Sequence, residues 1–516
     1  MAVMPDALPE YHPLTVLRDW SAVSPGSAFR ISDAQTGIIA FGATGSGKTS
    51  GPAAHFGRAY LLAGFGGVIL CSKRDERAMW ERWAEETGRS GHLTIIDKSG
   101  RYRFNFLEWE ASRAGEGGGL TINIVALLDE IAGAIASGAG KAESGSGGDN
   151  KFFEDALHHL NTNLVDLALF ASYGDPQGGS VSLPLMRLIL NTAPQSLKEA
   201  ESHEWKDREW GCPAIVRAAD EATKNADEDT RADFEECRNY WLQEFPNLSD
   251  RTRSIVTLSF SMLVRPLITR PLRKLFSTDT NVKPEDTFKG RIILVDLPVQ
   301  EYFLAGRVAN LVWKRCFQRA VLGRMQPNDG TYLRPVFLWA DECQNFVTEF
   351  DAAYQAVARS AGGCTVYLVQ NRESLLRVLH SPSAVDSLLG NLQCKCFCQN
   401  SSVETNDWAA KLLGERWRDI ISTTHGTSNP MTPDMEGTQS AGASSSEQRR
   451  YYVEPASFTT LKRGGPSNDY QVECIVYNGG MKFSGYDEHG HPEQQPHTQM
   501  TFDQLTKEQR GKLRQL

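Results

Sequence analysis

No stretch of about 18 consecutive apolar residues occurs in the 516-residue chain, so nothing in it reads as a membrane-spanning helix. The start, MAVMPDALPEYHP, has neither the basic region nor the apolar core of a signal peptide. A cytoplasmic location is expected. Excess positive charge is missing too: 54 Lys and Arg against 63 Asp and Glu give a net charge of -9. That argues against a surface that grips DNA by bulk electrostatics, although it leaves room for a small basic patch lining a pore. The ten cysteines show no framework spacing, and so long a chain needs no disulfides to hold its core. They read as free thiols in a reducing compartment. A strand signal is nearly absent from about 111 to 285.

What is present is a globular composition, 41% hydrophobic and 23% charged, on a chain long enough for two or more domains. Short apolar runs separated by amphipathic stretches open it: TGIIAF (36–41), GGVILC (66–71) and HLTIID (92–97). The rhythm returns at GRIILVDLPV (290–299), PVFLWADE (335–342), GCTVYLVQ (363–370) and CKCFCQ (394–399). Buried runs alternating with helices predict an α/β fold with a mostly parallel central sheet. Between them, LTINIVALLDEIAGAIA and FFEDALHHLNTNLVDLALFA carry apolar residues at helical spacing. The expected organisation is a nucleotide-binding domain in two parts, 1–110 and 286–421, split by an all-α insertion at 111–285. GAGKAESGSGGDN (138–150) reads as a linker inside the insertion. Residues 422–450, rich in Ser, Thr and Gly, read as a flexible loop, and 451–516 as one strand, YQVECIVYN, with a polar helical tail.

Gly42, Ala43, Thr44, Gly45, Ser46, Gly47, Lys48 and Thr49 match G-x-x-x-x-G-K-[ST] between an apolar strand and a helical segment, which is the context the motif requires. Its glycines let backbone N–H groups turn inward around phosphates, Lys48 reaches the terminal phosphates, and Thr49 ligates magnesium. Ser50 completes the nucleotide-binding stretch. ATP and Mg2+ are the expected cofactors.

Hydrolysis also needs a carboxylate on the metal and a group that orients or deprotonates water. Asp341 and Glu342 end the apolar strand 336–340, at the sheet edge where open α/β folds bind ligands. Asp341 is expected to hold magnesium and Glu342 to act as general base. An acidic pair that merely solubilises a strand end is the alternative. Gln370, ending the next strand, is a candidate sensor of the terminal phosphate. Arg359 is either an arginine finger acting on a neighbouring subunit or a solvated helix arginine.

Together GATGSGKTS (42–50), WADECQNF (339–346), ARSAGGCTVYLVQ (358–370) and LLGNLQCKCFCQNSSVETNDWAAKLLGE (388–415) resemble the type IV secretion coupling ATPases of the TraG/TraD group, which are hexameric DNA translocases. FNFL (104–107), an Asp-x-x-Phe-Phe pattern (149–153) and RIILVDLP (291–298) follow in matching order. The resemblance implies a RecA-like motor domain, a homo-hexameric ring, and DNA or a relaxase–DNA complex as substrate. It further implies secretion-system or effector proteins as partners, and it makes Arg359 the trans-acting arginine and Gln370 the matching glutamine. Two departures stand out. The two membrane helices usual in such proteins have no counterpart here, so any recruitment to the inner membrane falls to a partner. Cys71-Ser72-Lys73-Arg74-Asp75-Glu76 replaces the usual Asp-Pro-Lys-Gly. A soluble secretion- or defence-associated ATPase acting on protein cargo, or a nucleotide-gated assembly, is the competing expectation.

Other constellations read as structural. Cys394, Cys396 and Cys398 would share one strand face, a poor zinc geometry. His489, His491 and His497 read as a polar tail loop. Trp205, Trp210 and Trp241 are either core residues or a partner surface, and Lys73, Arg74 and Arg77 either a basic cluster or a solvated helix start.

Overall fold

The computed structural model describes residues 10–113, 117–138, 148–174, 181–427, 439–487, 490–505 and 510. Its strands, in chain order, include β1 (Ile38–Phe41), β2 (Gly66–Leu70), β3 (Leu93–Ile96), β4 (Ile292–Val295), β5 (Val336–Ala340) and β6 (Gly363–Val369). There follow β7 (Cys394–Phe397), β8 (Glu415–Thr427), β9 (Gln439–Tyr451), β10 (Gln471–Asn478) and β11 (His497–Asp503). The helices that matter below are α1 (Ala54–Leu62), α2 (Thr121–Gly138), α3 (Gly148–Ala171), α4 (Glu228–Asn239), α5 (Val299–Leu322) and α6 (Phe350–Ala358). The chain divides into two compact units, one of Met1–Ala63, Glu342–Ala356 and Cys364–Leu516, the other of Gly64–Asp341 and Val357–Gly363.

In the first unit β1 pairs in parallel with β6 on one side and β7 on the other. β10 then adds antiparallel to β7, and β11 antiparallel to β10. Every residue of β1, β6 and β7 is buried, as expected of strands covered on both faces. In the second unit β5, β2, β4 and β3 pair in that order, all parallel. Gly66 is required there by close approach, because a Cβ would lie 1.9 Å from the Thr287 carbonyl oxygen. Trp80 stacks on Phe337 at 5.8 Å and meets Trp339 edge-on at 5.1 Å, covering β5. Buried Asn310 of α5 accepts from the Cys71 N–H at 2.9 Å and donates to the Leu297 and Gly306 carbonyls, so the ends of β2 and β4 are tied to one helix. The α/β class and every strand read from the apolar runs are therefore observed.

From Phe106 to Phe276 the described residues form helices and turns, with no strand. Several helices begin at side-chain caps, among them Ser182, Asp227 and Ser249, each accepting from the N–H three residues on. Trp205 and Trp241 are core residues whose ring N–H groups donate to the carbonyls of Thr192 and Asn163, whereas Trp210 is 60% exposed. The expected linker lies largely outside the described residues, and 148–150 begin α3.

The C-terminal part departs from the sequence reading. The segment read as a flexible loop is a long antiparallel hairpin over its described residues, β8 against β9 in unbroken register from Glu415↔Tyr451 to Thr427↔Gln439. Ladder hydrogen bonds are satisfied by the backbone whatever the side chains, so Ser, Thr and Gly strands form without an apolar signature. His497 is likewise no loop residue but opens β11, and short strands at Phe483–Tyr486 and Pro492–Gln495 precede it. His489 and the expected helical tail lie outside the described residues, except Arg510. All ten cysteines are free and buried.

Burial lowers the His55 imidazole to about 3, with help from Arg18 and Arg58, and lowers His497 to about 4. Both are neutral in the fold but take up protons near pH 6.5 when unfolded, so their contribution is full above that pH and is lost as pH falls towards the folded values. Between pH 6.5 and 4.5 each is expected to cost ~1.4 kcal/mol per pH unit. His497→Gln should flatten the fall of urea-unfolding free energy over that range, and an unchanged slope would show that the group is not buried in its neutral form.

Candidate nucleotide site

The glycine-rich loop starts where β1 ends. Its first residues are pinned by the neighbouring strands: the Gly42 N–H donates to the Val369 and Gln370 carbonyls, and the Ala43 N–H to that of Gln399. Thr44 and Gly45 form the exposed crown. Gly45 and Gly47 sit at φ +73° and +81°, the left-handed region that only glycine enters freely. Residues Thr49–Ala53 form a wide turn containing Pro52 before α1 continues, so the loop leads straight into a helix start, the setting in which backbone amides bind phosphate. Ser46 Oγ is buried and has no hydrogen-bond partner among the described residues, a polar atom that an incoming phosphate oxygen would satisfy.

Lys48 and Glu342 face each other at 3.5 Å, with side chains 6% and 10% exposed. Glu342 adopts φ 50°, ψ 51°, a left-handed conformation rare outside glycine and a strain that recurs at functional sites. Its second carboxylate oxygen accepts from Gln344 Nε2 at 2.9 Å and lies 3.5 Å from Gln370 Nε2. This unit therefore gathers Gly42–Ser50, Glu342 and Gln370 into one constellation.

Asp341, buried at the end of β5, belongs to the other unit, where the Lys73 ammonium reaches its Oδ2 at 3.3 Å. Glu76 anchors that lysine's backbone by accepting from the N–H groups of Ser72 and Lys73, and burial together with Asp341 pushes its carboxyl well above the usual range. Lys73, the one residue of CSKR that matches the usual Asp-Pro-Lys-Gly, is thus the lysine partner of Asp341. Arg74 and Arg77 are paired with Glu301 and Asp296, so the three basic residues form ion pairs and not an open patch. Arg359 lies in a tight turn just after α6 and not on the helix itself; it is exposed, with no ion pair among the described residues.

Sequence reasoning missed what closes over the loop. Val472 of β10 packs so tightly on Gly47 that a Cβ there would meet its Cγ2 at 2.4 Å. Gln504 donates to Ser50 Oγ at 2.6 Å. Both lie more than 400 positions downstream, and no motif marks them.

Gly45→Ala imposes only left-handed strain, ~1–2 kcal/mol, since nothing lies within 4 Å of its Cβ position. Gly47→Ala adds the collision with Val472. Titration with a fluorescent ATP analogue should show Gly47→Ala losing several-fold more affinity than Gly45→Ala, with Val472→Ala recovering part of the difference. Equal losses would mean that β10 does not shape the loop.

Residues 335–463, a quarter of the chain, match the family described as the TraM recognition site of TraD and TraG. No curated protein matches the chain in sequence. Among solved structures, the unbound monoclinic form of the bacterial conjugative coupling protein TrwBdeltaN70 superposes with a TM-score of 0.56 at 14% identity, covering 98% of this chain and 90% of that one. TrwB in complex with a non-hydrolysable ATP analogue gives 0.56 at 13% identity, covering 97% and 91%, and TrwB with ADP and Mg2+ gives 0.54 at 13%, covering 97% and 90%. The chain thus has the RecA-like fold of the conjugative coupling proteins along nearly its whole length and carries the TraD/TraG sequence pattern over residues 335–463.

Proposed function

We propose that the chain is an ATP-hydrolysing motor of the coupling-protein kind that assembles as a homo-hexamer and moves DNA or a relaxase–DNA complex. The observation that carries this reading is the Lys48–Glu342 pair at 3.5 Å in one buried site, which sets a lysine able to hold a phosphate beside a carboxylate able to act as a base. A pure nucleotide switch has no need of such a base. Magnesium, where bound, offsets phosphate charge, and its proposed ligands are Thr49 and Asp341. Residues 42–50 hold the phosphates, with Lys48 on the terminal ones. Phosphate competes with Glu342 for the Lys48 ammonium, which frees the carboxylate to take the proton of the attacking water. Gln370, which shares the Glu342 carboxylate with Gln344, orients that water or senses the terminal phosphate. Arg359, exposed and without an ion pair among the described residues, suits a finger that completes a neighbouring subunit's site.

A second reading keeps the motor and changes the cargo to protein. The net charge of -9 favours it, because bulk electrostatics does not draw such a chain to DNA. No helix among the described residues is long and apolar enough to cross a membrane.

ATP hydrolysis measured with and without single- and double-stranded DNA, at low and physiological salt, separates the two readings. Salt-sensitive stimulation supports DNA transport, and turnover indifferent to DNA at both salts supports protein cargo. Glu342→Gln should retain ATP while slowing turnover by about a hundredfold or more. Arg359→Ala should leave binding intact and abolish turnover, and equal loss of both would remove the finger role.

A further inference from the structure

The helical segment contains a groove of about 750 Å3 between the start of α2, one face of α3, and α4 with the turn after it. That size falls within the ~300–1,000 Å3 of pockets that bury most of a ligand's surface. Its rim is apolar and open: Leu120 is 52%, Ile122 68% and Tyr173 40% exposed. Large apolar side chains clustered around a concavity mark a contact site more often than scattered ones do. Phe170 and Tyr240 add aromatic surface inside.

The groove's charge is of one sign. Asp166, Asp233, Glu236 and Glu244 line it, and among the described residues lining it there is no Lys or Arg. Glu244 has His159 at 3.6 Å, while Asp233 and Glu236 make no ion pair among the described residues. The arginines of the same helix point elsewhere, Arg231 to Asp220 at 2.7 Å and Arg238 to Glu235 at 2.5 Å. Asp166 lies deeper and accepts a hydrogen bond from Thr121. Burial raises its carboxyl to about 6, Asp233 adds to the shift, and the Thr121 bond opposes it. A desolvated carboxylate with acidic neighbours gains most from a cation brought in with a ligand.

We infer that this groove binds a basic amphipathic segment of a partner protein, whose Lys or Arg side chains meet Asp233, Glu236 and Asp166 and whose apolar side chains cover Leu120, Ile122 and Tyr173. The aromatic faces of Phe170, Tyr173 and Tyr240 add favourable surface for an arginine. Nucleic acid is disfavoured here, since its phosphates would face four carboxylates. None of these residues belongs to the nucleotide site, so the inference stands or falls independently of the proposed hydrolysis.

Fluorescence anisotropy with the full chain and a short labelled amphipathic peptide of Leu, Lys and Arg tests it, against a control peptide with Glu at each basic position and against labelled single-stranded DNA. The basic peptide should bind saturably and more weakly at higher salt. Asp233→Lys with Glu236→Lys, and separately Ile122→Asp, should each weaken binding about tenfold or more. The milder Asp233→Asn with Glu236→Gln pair should fall between them and the parent, with unchanged thermal melting showing that the fold is intact. Undiminished binding by the charge-reversed chain, equal binding of the acidic peptide, or no saturation up to ~1 mM would overturn the proposal.

Discussion

Two opposite charges with little access to water, Lys48 and Glu342, face each other at 3.5 Å, and much of the candidate nucleotide site bears on keeping them there. Removing one partner of a buried pair leaves an uncompensated charge at a cost of ~3–5 kcal/mol, so each holds the other's position strongly. Glu342 reaches that place only by adopting a left-handed backbone, worth ~1–3 kcal/mol of strain, at the point where the chain leaves β5. Lys48 reaches it because β1 delivers the glycine-rich loop between β6 and β7, whose carbonyls pin Gly42 and Ala43. The side chains that hold the pair, Gln344 and Gln370, are both amides, which orient a carboxylate without neutralising it.

Much of this was legible in the sequence because it is local. A strand buried on both faces must be a short apolar run, a phosphate loop must place glycines at left-handed positions, and a carboxylate serving such a loop follows a buried strand. Each constraint acts within a few residues, and the runs at 36–41, 66–71, 290–299, 335–342 and 363–370 all became strands. Thr49 and Ser50 follow the loop motif directly. Asp341 and Glu342 were read as adjacent carboxylates with separate roles, metal ligand and general base, and the chain passes between its two compact units at that step and gives them different partners, Lys73 and Lys48.

What escaped the sequence depends on distant residues or on backbone alone. Val472 and Gln504 shape the loop from the far end of the chain, and one apolar residue on a strand looks like any other. The β8–β9 hairpin forms from Ser, Thr and Gly because its ladder needs only amides and carbonyls, which composition does not report. Whether Lys73, Arg74 and Arg77 form a basic cluster or a solvated helix start could not be told until their acidic partners, mostly more than 200 positions away, were placed beside them. In the helical segment the three tryptophans could be sorted only by burial, and the acidic groove is assembled from helices whose separate sequences show ordinary amphipathic spacing.

In the proposed cycle Lys48 serves both Glu342 and a phosphate. A structure of the chain with a non-hydrolysable ATP analogue and magnesium tests this most directly. Phosphate is expected within the 42–50 loop, with the Lys48 ammonium drawn onto it and Glu342 released towards a water beside Gln370. Nucleotide bound with the Lys48–Glu342 pair still closed, or bound away from the loop, would contradict it.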